Sequence, residues 1–155
     1  MATQIHPMSF TSLNYHLVFS TCRREPAISI EHERLLYEKL YRIAKSHGAF
    51  VHRIGGMPDH VHLLVSLPPA LSLSKFVQNL KQESSVYMKS APQFPKWGGW
   101  SEGYGGFSVS YSALESVKEY IIGQKQHHTR RSFREEYRDF LLENGISEDA
   151  PFFPK

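Results

Sequence analysis

The hydrophobic pattern of the chain switches between a period of two and a period of 3.6, which predicts strands interleaved with helices. Residues 12–20 place Leu13, Tyr15, Leu17 and Phe19 on one face of an extended segment. This alternation is typical of a half-buried strand. Short apolar segments bounded by turn residues predict three further strands. The four predicted strands are 12–20, 49–54, 60–67 and 106–111.

Apolar residues at spacings of three and four predict helices between these strands and after the last one. In the first helix Leu40 and Ile43 share a face, and in the second helix Val86 is assigned to the buried side. Ser112 and Glu115 form a capping-box pattern that opens the third helix, and the same pattern recurs at the start of the fourth. The four predicted helices are 31–47, 72–89, 113–126 and 132–144.

The order of these elements is β-α-β-β-α-β followed by two helices. This order predicts an α+β fold, a ferredoxin-like split-βαβ antiparallel sheet with two additional C-terminal helices. The segment GGMPD at 55–59 is a turn by composition, so the second and third strands are expected to form a hairpin. One face of the sheet is covered by the first two helices. The other face is open to the later helices, a ligand or a partner.

Composition places the chain among single-domain globular proteins. It has 155 residues, of which 41% are hydrophobic and 21% are charged. A single domain over 1–155 is therefore expected, with 1–10 and 146–155 irregular. No apolar run approaches the roughly 20 residues of a membrane span, and no secretory signal is visible. The single cysteine, Cys22, excludes an internal disulfide and favours a cytoplasmic setting.

The nine histidines include one pair with the spacing of a metal site. His60 and His62 lie two residues apart on a predicted strand, so their side chains project from one face while Val61 points to the core. Two imidazoles on one face are able to share a divalent ion. The same pattern also arises by chance, as two exposed histidines at the start of a strand. Asp59 is either an outer carboxylate for such a site or an ordinary turn residue.

A second candidate group lies on the third predicted helix. Tyr120 and Gln124 are one helical turn apart, so a phenol and an amide oxygen point the same way. His127 and His128 follow at the end of this helix, where histidines commonly compensate the helix dipole. The competing interpretation is that Tyr120 is a core residue of an apolar segment.

The net charge of +3 leans mildly towards a polyanionic partner. Basic residues follow the first strand, lie on the second helix and cluster after Tyr120, and they are candidate phosphate contacts. The loop at 94–107, FPKWGGWSEGYGGF, either stacks single-stranded bases on its aromatic rings or packs its tryptophans against the sheet. The candidate DNA-binding residues are Arg23, Arg24, Lys81, Lys125, Arg130 and Arg131.

Taken together, these motifs resemble one family. Over about residues 10–145 the sequence is similar to the small single-tyrosine transposases of the HUH superfamily, insertion-sequence enzymes that move single-stranded DNA. The segments that carry the resemblance are YHLVFSTCRREP at 15–26, MPDHVHLLVSLPP at 57–69, LSKFVQNLKQESS at 73–85, WSEGYGGFSVS at 100–110 and EYIIGQKQHH at 119–128.

The resemblance implies a mechanism and a set of partners. Tyr120 is then the catalytic nucleophile, and His60, His62 and Gln124 hold Mg²⁺ or Mn²⁺. The enzyme nicks and rejoins single-stranded DNA through a 5′-phosphotyrosine, and it recognises hairpins at the ends of its element. The resemblance further implies a homodimer with composite active sites, in which the tyrosine helix of one subunit completes the histidine site of the other. A cytoplasmic, nucleoid-associated protein is expected.

Two alternatives stay open. One is a domesticated endonuclease of the same superfamily that processes palindromes, some members of which are monomeric. The other is a non-catalytic nucleic-acid-binding domain on a ferredoxin-like sheet. The segment GYGGFSVSY at 103–111 has some likeness to an RNA-recognition strand, but it lacks the basic start and the second aromatic residue in register.

Overall fold

The fold is built on one four-stranded antiparallel sheet. The computed structural model describes residues 9–154. The order across the sheet is β2-β3-β1-β4, and every neighbouring pair is antiparallel. This is the ferredoxin-like order, and it confirms the fold predicted from the sequence. The strands are β1 (Asn14–Ser20), β2 (Phe50–Met57), β3 (His60–Ser66) and β4 (Gly105–Val109).

Helices cover both faces of this sheet. The first helix lies between β1 and β2, the second between β3 and β4, and the last three follow β4. Single 3₁₀ turns at Cys22–Arg24 and Tyr111–Ala113 follow β1 and precede the third helix. The helices are α1 (Glu33–Ser46), α2 (Leu73–Ser90), α3 (Leu114–Ile122), α4 (Gln124–His127) and α5 (Phe133–Glu143). Within residues 9–154, no helix combines the length and apolar character needed to cross a bilayer.

The main core lies between the sheet and the pair α1 and α2. Leu17 and Phe19 of β1 point into it, because alternate side chains of a strand share a face. Leu40 of α1 and Leu80 of α2 meet them and are fully buried. Each such side chain contributes about 1.5–3 kcal/mol when it leaves water. This core therefore holds the sheet rigid beneath its second face.

Two glycines let the later helices lie close to that second face. Gly55 of β2 pairs with His62 across the sheet, and a Cβ there would lie 2.9 Å from both Cγ2 and the carbonyl oxygen of Ile121 in α3. Gly105 of β4 pairs with Val18. A Cβ there would lie 2.7 Å from Cε1 of Tyr137 in α5. The later helices thus occupy the face that the sequence left open.

The turn between β2 and β3 is shorter than the composition predicted. Gly55, Gly56 and Met57 belong to β2, and the link consists of Pro58 and Asp59. The prediction of a five-residue turn was wrong because the two glycines serve close packing here and not chain reversal. Gly56 pairs with Val61 and lies against the backbone at the start of β3. The predicted antiparallel hairpin itself is confirmed.

The single helix predicted over 113–126 is interrupted. A 3₁₀ turn precedes Leu114, and Gly123 separates α3 from α4. The predicted capping box of Ser112 and Glu115 is absent, since no side chain caps the start of α3. Glycine is a poor helix former, and it allows the change of direction at this point.

Two further expectations about the second helix and its loop are settled by packing. Val86 is 69% exposed, so its assignment to the buried side was wrong; Ser84 and Met88, which continue the stripe from Leu80 at steps of four, are buried instead. Trp100 donates to Oγ of Ser84 at 2.9 Å. Trp97 likewise donates to α2, so the tryptophans of the loop pack against the domain.

The last described residues lack regular secondary structure. Residues 146–154 contain neither helix nor strand, as predicted, although Phe153 is buried in a second apolar cluster with Val18 and Leu141. Of the lead-in predicted over 1–10, residues 1–8 lie outside the described residues, as does Lys155.

Candidate active site

His60 and His62 open β3 and lie under the later helices. Both residues are fully buried. They share the second face of the sheet with Val18 and Ser20, their cross-strand partners on β1. Val61 between them belongs to the main core. The common face predicted for the two histidines is therefore present, and the interpretation of two exposed histidines is wrong.

An outer partner holds each of these two rings through Nδ1. Oδ1 of Asp59 lies 2.8 Å from Nδ1 of His60. Nε2 of His16 lies 2.7 Å from Nδ1 of His62, and the two rings are stacked. Such partners fix the tautomer and orientation of a metal-binding imidazole. They leave both Nε2 atoms directed towards the later helices.

Tyr120 and Gln124 reach this place from α3 and α4. The ring of Tyr120 is 6.0 Å from that of His62 between centroids. Gln124 is 1% exposed, and its Oε1 lies 3.1 Å from Nε2 of His60. Although Gly123 interrupts the predicted helix, both side chains stay on the same side. The structure thus brings together all four residues that the sequence grouped.

A fifth residue, Glu136 of α5, lies at the centre of the group and was not predicted. It is 1% exposed. Its Oε1 is 3.1 Å from Nε2 of His62 and 3.4 Å from Nε2 of His60. Its Oε2 accepts hydrogen bonds from the phenol of Tyr120 and from Nε2 of Gln124. One carboxylate therefore joins the imidazoles to the phenol.

The sequence does carry a signal for Glu136. It lies three residues after Phe133 and four before Phe140, so it continues an apolar helical stripe. The ring of Phe133 stacks on His60 at 4.3 Å, and Phe140 meets His16 edge-on at 5.0 Å. An acidic residue within such a stripe is buried with it. It then needs a partner for its charge.

The ionisable groups of the site shift one another strongly. Burial lowers the pKa of His16 to about 3, so this ring is neutral. Burial also lowers the pKa of His60, but hydrogen bonds to Asp59 and Glu136 outweigh it and leave that pKa raised. For His62 burial dominates, and its pKa is lowered. The imidazoles hold the pKa of Glu136 far below its usual range despite its burial. Burial, reinforced by the adjacent carboxylate, raises the pKa of the Tyr120 phenol.

The donor set fits a divalent metal ion. One ligand atom from each of His60, His62 and Glu136 lies within 4.8 Å of the others. Imidazole nitrogen and carboxylate oxygen suit Zn²⁺ and Mn²⁺, and carboxylate oxygen also suits Mg²⁺. Nε2 of His128 is a further buried nitrogen near this group, and no hydrogen-bond partner is found for it within residues 9–154. The chemistry of these side chains is that of a metal site next to a phenol.

A cleft of about 770 Å³ leads from solvent to Tyr120. Arg130 and Arg131 line it, together with His127, whose ring stacks on that of Tyr120 at 4.5 Å. Arg131 also forms an ion pair with Asp139 at 2.7 Å. Arginine side chains are common contacts of phosphate oxygens in nucleic-acid complexes.

The other predicted basic contacts have different surroundings. Arg23 and Arg24 are exposed, and both have left-handed backbone angles, with φ of 55° and 53°. Lys81 donates to the carbonyl oxygen of Ser101, which ties the tryptophan loop to α2. Lys125 pairs with Glu33 at 2.8 Å. All six basic residues stay predictions as DNA contacts, and Arg130 and Arg131 line the cleft beside Tyr120.

The family of the chain follows from comparison with known sequences. The model of the family described as "Transposase IS200 like" matches residues 9–124. The chain belongs to the IS200-like transposase family. The matched region contains β1 to β4, α1 to α3 and the residues His60, His62, Tyr120 and Gln124. It ends before His128 and Glu136.

Two similar transposases illustrate this membership. The chain is 35% identical over 117 residues to the ISDra2 transposase TnpA of Deinococcus radiodurans, which covers 72% of this chain and 84% of that protein. It is 30% identical over 74 residues to the transposase for insertion sequence element IS200 of Salmonella typhimurium. That match spans 48% of this chain and 49% of the relative. The resemblance seen in the sequence is thus confirmed at the level of the family.

Two solved structures share the fold of this IS200-like transposase. One is a candidate transposase from Deinococcus radiodurans R1, with a TM-score of 0.62, 31% identity, and coverage of 79% of this chain and 98% of that one. The other is a REP-associated tyrosine transposase bound to a REP hairpin, with a TM-score of 0.55. At 10% identity, over 97% of this chain and 81% of that one, the second likeness concerns the fold alone.

Proposed function

We propose that this family member is a metal-dependent enzyme that nicks and rejoins single-stranded DNA, with Tyr120 as its nucleophile. The observation that carries the proposal is the convergence of five side chains from β3, α3, α4 and α5. The phenol of Tyr120 and the amide of Gln124 contact one carboxylate oxygen, and the Nε2 atoms of His60 and His62 face the other. Burying polar and charged side chains is costly unless they are paired, so apolar packing alone does not account for these five side chains in one place.

His60, His62 and Gln124 are the proposed ligands of Mg²⁺ or Mn²⁺. Oε1 of Gln124 lies 3.1 Å from Nε2 of His60, and Asp59 and His16 orient the two rings. When bound, such an ion polarises the scissile phosphate and neutralises the charge that develops on it. These side chains leave coordination positions for phosphate oxygens and water.

The proposed cleavage is a transesterification at phosphorus. The phenol oxygen of Tyr120 forms a bond to phosphorus, and the bond from phosphorus to the 3′ oxygen breaks. The products are a 5′-phosphotyrosine and a 3′-hydroxyl, so the phenol proton ends on the departing oxygen. Oε2 of Glu136 accepts the hydrogen bond of the phenol and thereby directs its oxygen. Because the new diester keeps the energy of the old one, a second 3′-hydroxyl reverses the step and joins new ends.

The proposed substrate is single-stranded DNA that carries hairpins at the ends of a mobile element. The cleft beside Tyr120 and its two arginines support a phosphate backbone there. The homodimer, the composite site and the nucleoid association remain predictions. Within one chain Tyr120 already lies beside its own His62.

The test is a covalent trapping assay. Single-stranded oligonucleotides that tile the DNA flanking the gene, labelled at the 3′ end, are incubated with the full chain and Mn²⁺ or Mg²⁺. We expect a labelled protein band in denaturing gels from the wild type and from Tyr111→Phe, a control at a 79% exposed tyrosine. Tyr120→Phe and addition of EDTA should abolish the band while hairpin binding by Tyr120→Phe persists. A band of full strength from Tyr120→Phe contradicts the assignment.

A further inference from the structure

The segment after the family match carries two more side chains that point at the same place as the two histidines of β3. The match ends at residue 124. Glu136 lies on α5, and His128 follows the short helix α4. The side chain of His128 is 6% exposed and that of Glu136 is 1% exposed. Both are thus buried in the site although neither belongs to the matched region.

Three imidazole nitrogens surround one carboxylate oxygen. Oε1 of Glu136 lies 3.1 Å from Nε2 of His62, 3.2 Å from Nε2 of His128 and 3.4 Å from Nε2 of His60. Two ligand atoms that are each about 2.1 Å from one ion, at tetrahedral or octahedral angles, are separated by about 3.0–3.4 Å. The separations of Oε1 from the two histidines of β3 fall in this interval, and one ligand atom from each of His60, His62 and Glu136 lies within 4.8 Å of the others.

His128 faces the same carboxylate oxygen. Its Nε2 is buried and lies 3.2 Å from Oε1 of Glu136, without the geometry of a hydrogen bond. It lies outside the group of mutually close ligand atoms that His60, His62 and Glu136 form. His128 is therefore a neighbour of the carboxylate and not a member of the ligand group.

The geometry points to Glu136 as an additional ligand of the metal ion, supplied in cis by the C-terminal segment, with His128 as the neighbour that positions its carboxylate. This inference rests on the proposed function, since it completes the site of His60, His62 and Gln124. The two oxygens of Glu136 then have separate tasks: Oε1 binds the ion, and Oε2 accepts from Tyr120 and Gln124.

The alternative is that Glu136 only fills the site and competes with the ion. The two arrangements predict opposite changes in metal affinity. If the carboxylate is a ligand, its removal weakens binding. If the carboxylate only occupies the site, its removal strengthens metal binding.

The experiment measures Mn²⁺ binding to the full chain without DNA, from the electron paramagnetic resonance signal of the unbound ion. We expect Glu136→Gln and His128→Ala each to weaken Mn²⁺ binding at least about 10-fold. Glu143→Gln on α5 and His47→Ala, at the end of α1 where it pairs with Glu83, are matched controls, and both should bind as the wild type does. In spin-echo spectra of bound Mn²⁺, Glu136→Gln and His128→Ala should keep the modulation from imidazole nitrogen, because His60 and His62 remain. Near-ultraviolet circular dichroism verifies that each variant is folded.

Unchanged or tighter binding by folded Glu136→Gln, or unchanged binding by His128→Ala, overturns the inference. His60→Ala separates this failure from that of the proposed function. If His60→Ala loses Mn²⁺ binding while the other two variants keep it, the metal site stands and only the role of Glu136 and His128 is rejected. If His60→Ala also binds Mn²⁺ normally, the proposed metal site fails with them.

Discussion

Nε2 of His16 lies 2.7 Å from Nδ1 of His62, so a histidine of β1 contacts the ring nitrogen of His62 that faces away from the site. The two strands are neighbours, and His16 lies two positions before Val18, the partner of His62. Burial keeps His16 neutral. A neutral imidazole that accepts from Nδ1 of His62 fixes the tautomer in which Nε2 presents its lone pair to the site.

We therefore expect His16→Phe to weaken Mn²⁺ binding by about 10-fold, as loss of an outer partner of a metal ligand commonly does. Phenylalanine keeps the ring but leaves Nδ1 of His62 without its partner. Isothermal titration with Mn²⁺ measures the effect. His52→Phe is the control, because His52 lies on β2 and bonds to Ser66 away from the site. Wild-type affinity in folded His16→Phe would show that the contact plays no part in metal binding.

The approach of α3 to the sheet gives a second prediction. A Cβ at Gly55 would lie 2.9 Å from two atoms of Ile121, one of them a backbone oxygen. We expect Gly55→Ala to destabilise the chain by roughly 1–3 kcal/mol and to lower the yield of covalent adduct, because α3 carries Tyr120. Urea unfolding and the trapping assay measure the two effects. Gly98→Ala, where a Cβ meets nothing within 4 Å, should change neither.

A third prediction concerns the start of α5. Oγ of Ser132 accepts from the backbone of Glu135 at 3.2 Å, and the Glu135 side chain returns the contact, so the predicted capping box is present. Ser132→Ala should cost about 1 kcal/mol. It should also weaken Mn²⁺ binding if Glu136 is a ligand, since the cap positions the helix that carries it.

Ser112→Ala is the matched control for that cap. The sequence has the same S-x-x-E pattern there, yet Ser112 caps no helix in the structure. Its removal should leave the midpoint of urea unfolding unchanged. Equal destabilisation by the two variants would mean that the capping hydrogen bond of Ser132 does not contribute to the stability of the chain.

The residues on regular strands were the most predictable. Period-two alternation placed His60 and His62 on one face, and this follows from strand geometry alone. Tyr120 and Gln124 share a side by helical spacing, even though Gly123 divides the predicted helix. The hydrophobic pattern could not predict which residues of different strands lie next to each other in the sheet. His16 and His62 are 46 positions apart and meet through strand pairing.

Glu136 and the glycines of β2 were missed for a different reason. Charged residues and Gly-rich segments are usually solvated or turn-forming, so local composition favours the wrong interpretation of both. Gly55 is needed because Ile121 approaches its backbone, and Glu136 is buried because α5 covers the imidazoles. Each is a consequence of tertiary packing on the second face of the sheet. The capping pattern at Ser112 failed likewise, where a 3₁₀ turn precedes α3.

The last prediction asks which chain supplies the tyrosine. In this structure the rings of Tyr120 and His62 of the same chain are 6.0 Å apart, and Glu136 of that chain bonds the phenol. If this arrangement is the catalytic one, Tyr120→Phe and His60→Ala should give no covalent adduct when they are co-expressed, because each chain then lacks part of its own site. Co-expression of wild type with Tyr120→Phe controls for loss of activity in mixed assemblies. An adduct regained by the mixture of the two variants would instead demonstrate composite sites in a dimer. The DNA would then be attacked by the tyrosine of one subunit at the histidines of the other, and the contact between Tyr120 and its own Glu136 would belong to a state that opens before cleavage.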